Sequence, residues 1–191
     1  VTGTNGKTTV AWIVHALLEK LGRKNSLFGT VEHRPFGGES VFEGMTTPDA
    51  PYLHRALSEA KAAGGNSAVL EVSSHAIDQE RCAGIFFDVG ILTNLTRDHL
   101  DYHGDLESYI AVKERFFASL GTQATAIINN DCNYANRMAS AARNGGAKVV
   151  TYSIGSRADL VASQLKVGPL GTQFVLQGMG TTSFDLTMPL V

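Results

Sequence analysis

Covalent cross-links are scarce in this chain: of its 191 residues only two are cysteine, Cys82 and Cys132, far apart and in neither CxxC nor metal-ligand spacing. That excludes a disulfide scaffold and reads as two reduced thiols in a cytoplasmic protein. Long hydrophobic runs are missing too, so no segment can span a bilayer as a helix. No charged-then-apolar leader opens the chain, and the expectation is a protein without a signal peptide. Nor is there an excess of either charge, since 16 Lys+Arg stand against 18 Asp+Glu, a formal net charge of −2. Nucleic acid would find no basic footprint, and a lipid surface no polybasic anchor. Aromatic residues make up only 8%, yet 43% of the residues are apolar, enough to bury the core of one ordinary domain.

Periodicity supplies the fold class. Val10, Val14, Leu17, Leu18 and Leu21 form an apolar helical stripe that stops at Gly22, and Leu53, Ala56, Leu57 and Ala60 form a second between Thr47-Pro48-Asp49 and Gly64-Gly65. Two apolar runs follow, residues 67–72 and 87–95, and neither alternates, as expected of strands buried on both faces of a parallel sheet. A helix over 106–120, a strand over 125–129, a helix over 134–143 and a strand over 148–152 continue the rhythm. The pattern predicts an α/β fold, a mostly parallel sheet flanked by helices. In the last thirty or so residues Phe184, Leu186 and Met188 alternate with polar residues between glycine turns, which predicts a small antiparallel β meander beside the main sheet.

Chemistry begins at the start. Gly3-Thr4-Asn5-Gly6-Lys7-Thr8-Thr9 puts glycines, a lysine and hydroxyls directly before a helix, a cradle for a polyphosphate and its magnesium ion. The general GxxxxGK[ST] spacing is not met, because its first glycine falls at Val1. Val1-Thr2-Gly3 enters the loop without the buried strand that should feed it, so the chain reads as a fragment. A glycine turn that only caps the helix is the alternative.

Three further features place polar residues where a core is expected. Glu71 ends an apolar strand at the edge where open α/β sheets bind ligands, which makes it a candidate magnesium ligand or a paired surface carboxylate. Asn94, Asp98, His99, Asp101 and His103 crowd the segment after the next strand. His99 and His103 are four apart, as zinc ligands on one helix face are, but no third ligand at a familiar spacing completes such a site. Lys113 lies on the apolar face of its helix, with Tyr109, Phe116, Phe117 and Leu120 at i−4, i+3, i+4 and i+7. Such a lysine either snorkels, pairs with a carboxylate, or is buried with a lowered pKa and its amine freed for chemistry.

Taken together, the loop at residues 3–9, Leu70-Glu71-Val72-Ser73-Ser74-His75, Thr93-Asn94-Leu95, Asp98-His99-Leu100-Asp101-Tyr102-His103-Gly104 and Lys113 resemble, in order and spacing, the central ATPase domain of the Mur ligase family. The resemblance covers residues 1–191 and implies a P-loop fold whose N-terminal uridine-binding and C-terminal amino-acid-binding domains lie outside this chain. It implies that Gly3, Thr4, Asn5, Gly6, Lys7, Thr8, Thr9 and Asn94 hold ATP, and that Thr8, Glu71 and His99 serve Mg²⁺. Lys113 is implied to be carbamylated and to serve magnesium as an anion, with Lys7, His99 and Lys113 catalytic. Thr46, Thr47, Ser73, Gln79 and Arg81 match residues that bind the muramoyl dipeptide in the branch adding a diamino acid to UDP-N-acetylmuramoyl-L-alanyl-D-glutamate. On residues alone, the threonine pair reads equally as a helix cap and Gln79 and Arg81 as surface residues.

The resemblance further implies an ATP-dependent carbon–nitrogen ligase of peptidoglycan synthesis that works through an acyl phosphate. A cytoplasmic monomer is expected, inactive as an isolated fragment. The rivals are folylpolyglutamate and cyanophycin synthetases, a metal-dependent hydrolase built on Asp98, His99, Asp101 and His103, and a non-catalytic nucleotide-binding module.

Overall fold

Two strand ladders and a two-residue stitch make the sheet. The computed structural model describes every residue except 43, 99, 179, 190 and 191. Its elements are α1 (Lys7–Lys20), β1 (Asn25–Phe28), β2 (His33–Arg34), α2 (Ala50–Ala62), β3 (Ser67–Leu70), α3 (Ser74–Asp78), β4 (Val89–Leu92), α4 (Leu100–His103), α5 (Leu106–Ala118), β5 (Thr125–Asn129), α6 (Ala135–Asn144), β6 (Lys148–Ile154), β7 (Leu160–Gly168), β8 (Gly171–Gly178) and β9 (Thr181–Met188). One ladder runs β2-β1-β3 and the other β4-β5-β6-β7-β8-β9.

Val1 and Thr2 lie between the two ladders and bond to both. The Val1 nitrogen donates to Leu70 O at 2.7 Å, and Val72 N donates to Val1 O at 2.8 Å. On the other side Thr2 N donates to Ile91 O at 2.8 Å and Thr93 N to Thr2 O at 3.0 Å. The expectation of a loop with no strand to feed it is corrected here: residues 1–2 already form strand rungs, and the sheet runs through them.

Helix ends follow local chemistry. The Asp49 carboxylate accepts from Tyr52 N at 2.8 Å to start α2, and Asp105 accepts from Ser108 N at 2.7 Å to start α5. The larger core, with Phe28, Leu53, Leu70, Leu92, Phe117 and Ile128, lies between the sheet and the helices on one face. A smaller one, Val1, Ala11, Leu27 and Val69, lies under α1.

Three elements depart from the sequence pattern. In α1 the fully buried residues are Ala11 and His15; of the apolar stripe Val10, Val14 and Leu18 pack against the smaller core, while Leu17 and Leu21 are 55% and 78% exposed, so the buried face is turned only partly away from the stripe. Small Ala11 allows close approach to the sheet, and His15 takes a hydrogen bond from the Asn25 side chain. The strand β1 escaped notice because it opens on two polar residues; both are buried, Asn25 against His15 and Ser26 accepting from Phe36 N at 2.9 Å. Finally, the meander β7-β8-β9 does not lie beside the sheet but extends it, because β7 pairs in parallel with β6. Parallel neighbours ordinarily need a long crossover. Here a short turn suffices, since Leu160 pairs with Tyr152 and β7 then runs on past the end of β6. Asp159 ties that turn by accepting from Thr151 N and Oγ1, both at 2.7 Å.

Candidate functional site

The glycine loop, Gly29-Thr30, Glu71 and Asn94 leave the carboxyl ends of parallel strands, where diverging loops open a crevice, and Lys113 reaches it from α5. Residues 1–2 feed the glycine loop. Gly3 adopts φ +143°, and a Cβ there would stand 2.1 Å from Thr93 Oγ1, so only glycine lets the loop press onto the end of β4. Asn5 and Asn94 then bond reciprocally, Asn5 N donating to Asn94 Oδ1 at 3.0 Å and Asn94 Nδ2 to Asn5 O at 3.1 Å. Thr93 Oγ1 donates to Asn5 O at 2.6 Å, and Thr96 N donates to Thr4 Oγ1 at 3.0 Å. Gly6, at φ +79°, turns the chain into α1, whose first turn carries Lys7, Thr8 and the exposed Thr9. The Lys7 amine folds back to donate to Gly3 O and Thr4 O at 3.0 and 2.8 Å. Burial lowers its pKa, against the charges of Glu71 and Asp98.

Glu71 is the centre of the cleft and is fully buried. Its Oε2 accepts from Thr8 Oγ1 at 2.9 Å and from Thr30 Oγ1 at 3.1 Å, while Oε1 accepts from Thr30 N at 3.0 Å. A Cβ on Gly29 would lie 2.1 Å from Glu71 Oε1, so the glycine makes the space the carboxylate occupies. Every one of these hydrogen-bond partners is neutral, two hydroxyls and a peptide N–H, while the charges of Lys7 and the Val1 amine act on the carboxylate from farther away.

Thr46 and Thr47 line the other side. They do not cap α2, a role that Asp49 fills. Thr47 Oγ1 donates to Glu71 O at 2.7 Å and accepts from Ser73 N at 3.1 Å, and Ser73 Oγ caps α3 by accepting from Ala76 N at 3.1 Å. The Arg81 guanidinium donates to Thr47 O at 2.8 Å and grips Gln79 Oε1 at 2.9 and 2.6 Å. Gln79 Nε2 in turn donates to Tyr102 OH at 3.3 Å. The five side chains matched to acceptor binding therefore form one wall, continuous with Glu71.

Lys113 is buried at 1% exposure, so it neither snorkels nor reaches a carboxylate through its hydrogen bonds. Its amine donates to Thr2 Oγ1 at 2.8 Å and to Val72 O at 3.5 Å, and it lies over the Tyr109 ring at 5.7 Å. Burial pushes the amine well below the usual lysine range; the charge of Lys7 adds to this and that of Asp98 opposes it. Tyr109 meets Thr4 Oγ1 with its hydroxyl at 3.0 Å, which links Lys113's surroundings to the phosphate loop.

His99 lies outside the described residues. The ring of His103 packs against Tyr109 and His75, and Asp101 is exposed. Among the described residues no group of three or more His, Cys, Asp and Glu side chains could hold a metal ion. No helix among them is long and apolar enough to cross a membrane.

Gly29 and Thr30 were missed by sequence reasoning because β1 was missed. The signal existed: Gly29-Thr30 follows Leu27-Phe28 as Glu71 follows Val69-Leu70, at the end of a neighbouring strand. Thr2 and Tyr109 carry site contacts that no motif announces.

Comparison with known proteins bears on the family and the fold. The chain is 42% identical over 174 residues to the UDP-N-acetylmuramoyl-L-alanyl-D-glutamate--2,6-diaminopimelate ligase of Chlamydia trachomatis serovar D, a match covering 91% of this chain and 35% of that protein. To the enzyme of the same name from Synechococcus elongatus it is 42% identical over 191 residues, covering 100% of this chain and 38% of that protein. A solved structure of a UDP-N-acetylmuramoyl-L-alanyl-D-glutamate--2,6-diaminopimelate ligase superposes with a TM-score of 0.85 at 34% identity, over 99% of this chain and 38% of that one. The chain thus spans little more than a third of the relatives it matches. The Mur ligase middle domain matches residues 1–191 from end to end, and the chain belongs to that family.

Proposed function

We propose that this chain is the central ATP-binding domain of a cytoplasmic, monomeric ligase that adds a diamino acid to UDP-N-acetylmuramoyl-L-alanyl-D-glutamate in peptidoglycan synthesis. The uridine-binding and amino-acid-binding domains would flank it in the longer protein. The observation that carries the reading is the Thr8–Glu71 hydrogen bond, which joins the phosphate loop to a buried carboxylate whose other face meets the acceptor wall. The relatives' names supply both the acceptor and 2,6-diaminopimelate as the first amine to try.

The donor set suits magnesium: a hydroxyl and a carboxylate are hard oxygen ligands, and the ion keeps its other positions for water and phosphate. Thr8 and Glu71 would hold it, with His99 and carbamylated Lys113 serving a second ion. Bound there, magnesium would offset charge on the transferring phosphoryl group. In the reaction we assign, the D-glutamate side-chain carboxylate becomes an acyl phosphate at the expense of ATP, and the amine displaces phosphate to form the amide.

The chain's own residues do the positioning. The loop's backbone N–H groups and the start of α1 cradle the phosphates, and Lys7 leaves the Gly3 and Thr4 carbonyls to meet them. Asn94 keeps the loop's Asn5 in register. Thr46, Thr47, Ser73, Gln79 and Arg81 orient the acceptor. The lowered pKa of Lys113 suits carbamylation, because only the neutral amine attacks carbon dioxide, forming the N–C bond and releasing one proton.

The test is product formation by the full-length protein with ATP, Mg²⁺, the UDP-muramoyl dipeptide and either 2,6-diaminopimelate or lysine. ADP release that requires both acceptor and amine, with the tripeptide seen by mass spectrometry, supports the reading. ADP release with glutamate and a folate acceptor instead would overturn it in favour of a folylpolyglutamate synthetase.

A further inference from the structure

Thr30 belongs to no motif, yet its hydroxyl oxygen stands 3.1 Å from Glu71 Oε2 and 3.1 Å from Thr46 Oγ1, while its peptide N–H holds Glu71 Oε1 at 3.0 Å. Among the described residues it alone hydrogen-bonds through its side chain to both the carboxylate and Thr46, and it is exposed at the mouth of the cleft. We propose that Thr30 is a positioning residue that couples the occupancy of the Thr8–Glu71 cation site to acceptor binding at Thr46. The proposal rests on the ligase reading above and adds to it a residue and a direction of coupling.

The argument is one of proton supply. A threonine hydroxyl has a single proton and can donate only once, whereas a carboxylate only accepts. With Glu71 unengaged, the Thr30 proton goes to Oε2, the stronger, charge-assisted acceptor. Thr46 Oγ1, the other oxygen to which the Thr30 hydroxyl can donate, is then left without that proton, and the Thr46 hydroxyl is not oriented by Thr30. A cation held by Thr8 and Glu71 would compete with the Thr30 hydroxyl for the Glu71 carboxylate, on whose Oε2 the Thr8 and Thr30 hydroxyls converge. The Thr30 proton is released toward Thr46, and the Thr46 proton turns outward. An acidic acceptor, rich in carboxylate oxygens, prefers that second state. Both states keep every heavy atom in place, and a ligand shifts such an equilibrium only by its differential affinity for the two states.

The experiment measures binding, not turnover. In the full-length protein, UDP-N-acetylmuramoyl-L-alanyl-D-glutamate is titrated by calorimetry with and without Mg²⁺ and a non-hydrolysable ATP analogue. The native protein should bind the acceptor roughly five-fold or more tightly when the cation site is filled. Thr30→Val, which keeps shape and peptide N–H, should bring that ratio to about one with the melting temperature held, and Thr30→Ser should restore it. A Thr30→Val protein with the native ratio overturns the proposal, as does a native protein that binds both ligands with no ratio to lose. If Thr30→Val does not fold, Thr46→Val cuts the other end of the same contact, and a native ratio there is equally fatal. A native protein that binds neither nucleotide nor acceptor instead overturns the ligase reading.

Discussion

The Glu71 carboxylate accepts the Thr8 hydroxyl at 2.9 Å although 63 positions separate the two residues, and this one contact joins the phosphate loop to the end of β3. Glu71→Gln keeps the shape but replaces one oxygen by an amide nitrogen that only donates, facing either the Thr8 and Thr30 hydroxyls or the Thr30 N–H. If Glu71 holds magnesium as proposed, loss of its charge should cut turnover by roughly 10²-fold or more and raise the magnesium needed for half-maximal rate. The mispaired amide should cost about 1–3 kcal/mol of stability. Rate against magnesium concentration, and a denaturant melt, check the two effects separately.

Gly29 tests the same carboxylate from behind. Its backbone is not in the left-handed region, so Gly29→Ala meets no φ strain, only the 2.1 Å approach of Glu71 Oε1. The carboxylate must move, breaking its bond to Thr30 N or to Thr8. The expected outcome is a fold that survives with a loss of about 1–3 kcal/mol and a weakened magnesium response. A Gly29→Ala protein with native magnesium dependence would show that the cleft has more room than its geometry indicates.

How much of this was legible in the sequence follows from what each residue does locally. The phosphate loop, Glu71 and Lys113 stood out because they break local rules: glycines before a helix, a carboxylate ending an apolar run, a lysine on an apolar face. The α/β rhythm was readable for the same reason, from long periodic segments. Gly29 and Thr30 were hidden because β1 is four residues long and half polar, and its burial depends on His15 and Phe36, partners no window of sequence includes. The parallel join of β6 to β7 was hidden because it rests on a turn tied by Asp159 and Thr151, where a crossover would be expected. The apolar stripe of α1 located the buried face only in part: Val10, Val14 and Leu18 pack on the core, but small Ala11 is the residue buried deepest, and Leu17 and Leu21 face outward.

Arg81 is a case where chemistry outruns packing. Its guanidinium is planar and forked, and it spans Thr47 O and Gln79 Oε1 at once. Arg81→Lys keeps the charge but cannot reach both acceptors, so it should resemble Arg81→Ala in raising the KM for the muramoyl acceptor. About a ten-fold rise, roughly 1.4 kcal/mol, fits the loss of one charged hydrogen bond. The KM for ATP should stay near native in both variants, since neither contact touches the phosphate loop. Parallel rises in both KM values would place Arg81 elsewhere in the mechanism.

Lys113 makes stability depend on pH in a direction that can be worked out. Its folded pKa is well below the usual lysine value, chiefly through burial, so between the two values the unfolded chain carries a proton that the folded chain does not. Stability attributable to this group is therefore complete above the unfolded pKa of about 10.4 and is lost as pH falls toward the folded pKa, with a slope of up to about 1.4 kcal/mol per pH unit. Lys113→Met fills the same space without the ammonium and should remove that slope, making the folded state more stable than native at neutral pH while abolishing ligase turnover. Urea titrations of full-length native and variant proteins across the alkaline range, in buffer purged of carbon dioxide, measure the difference. Added bicarbonate then separates a neutral amine from a modified one. If the amine is carbamylated, bicarbonate stabilises the native protein by mass action and leaves Lys113→Met unmoved. Equal responses in the two proteins would exclude the carbamate at Lys113.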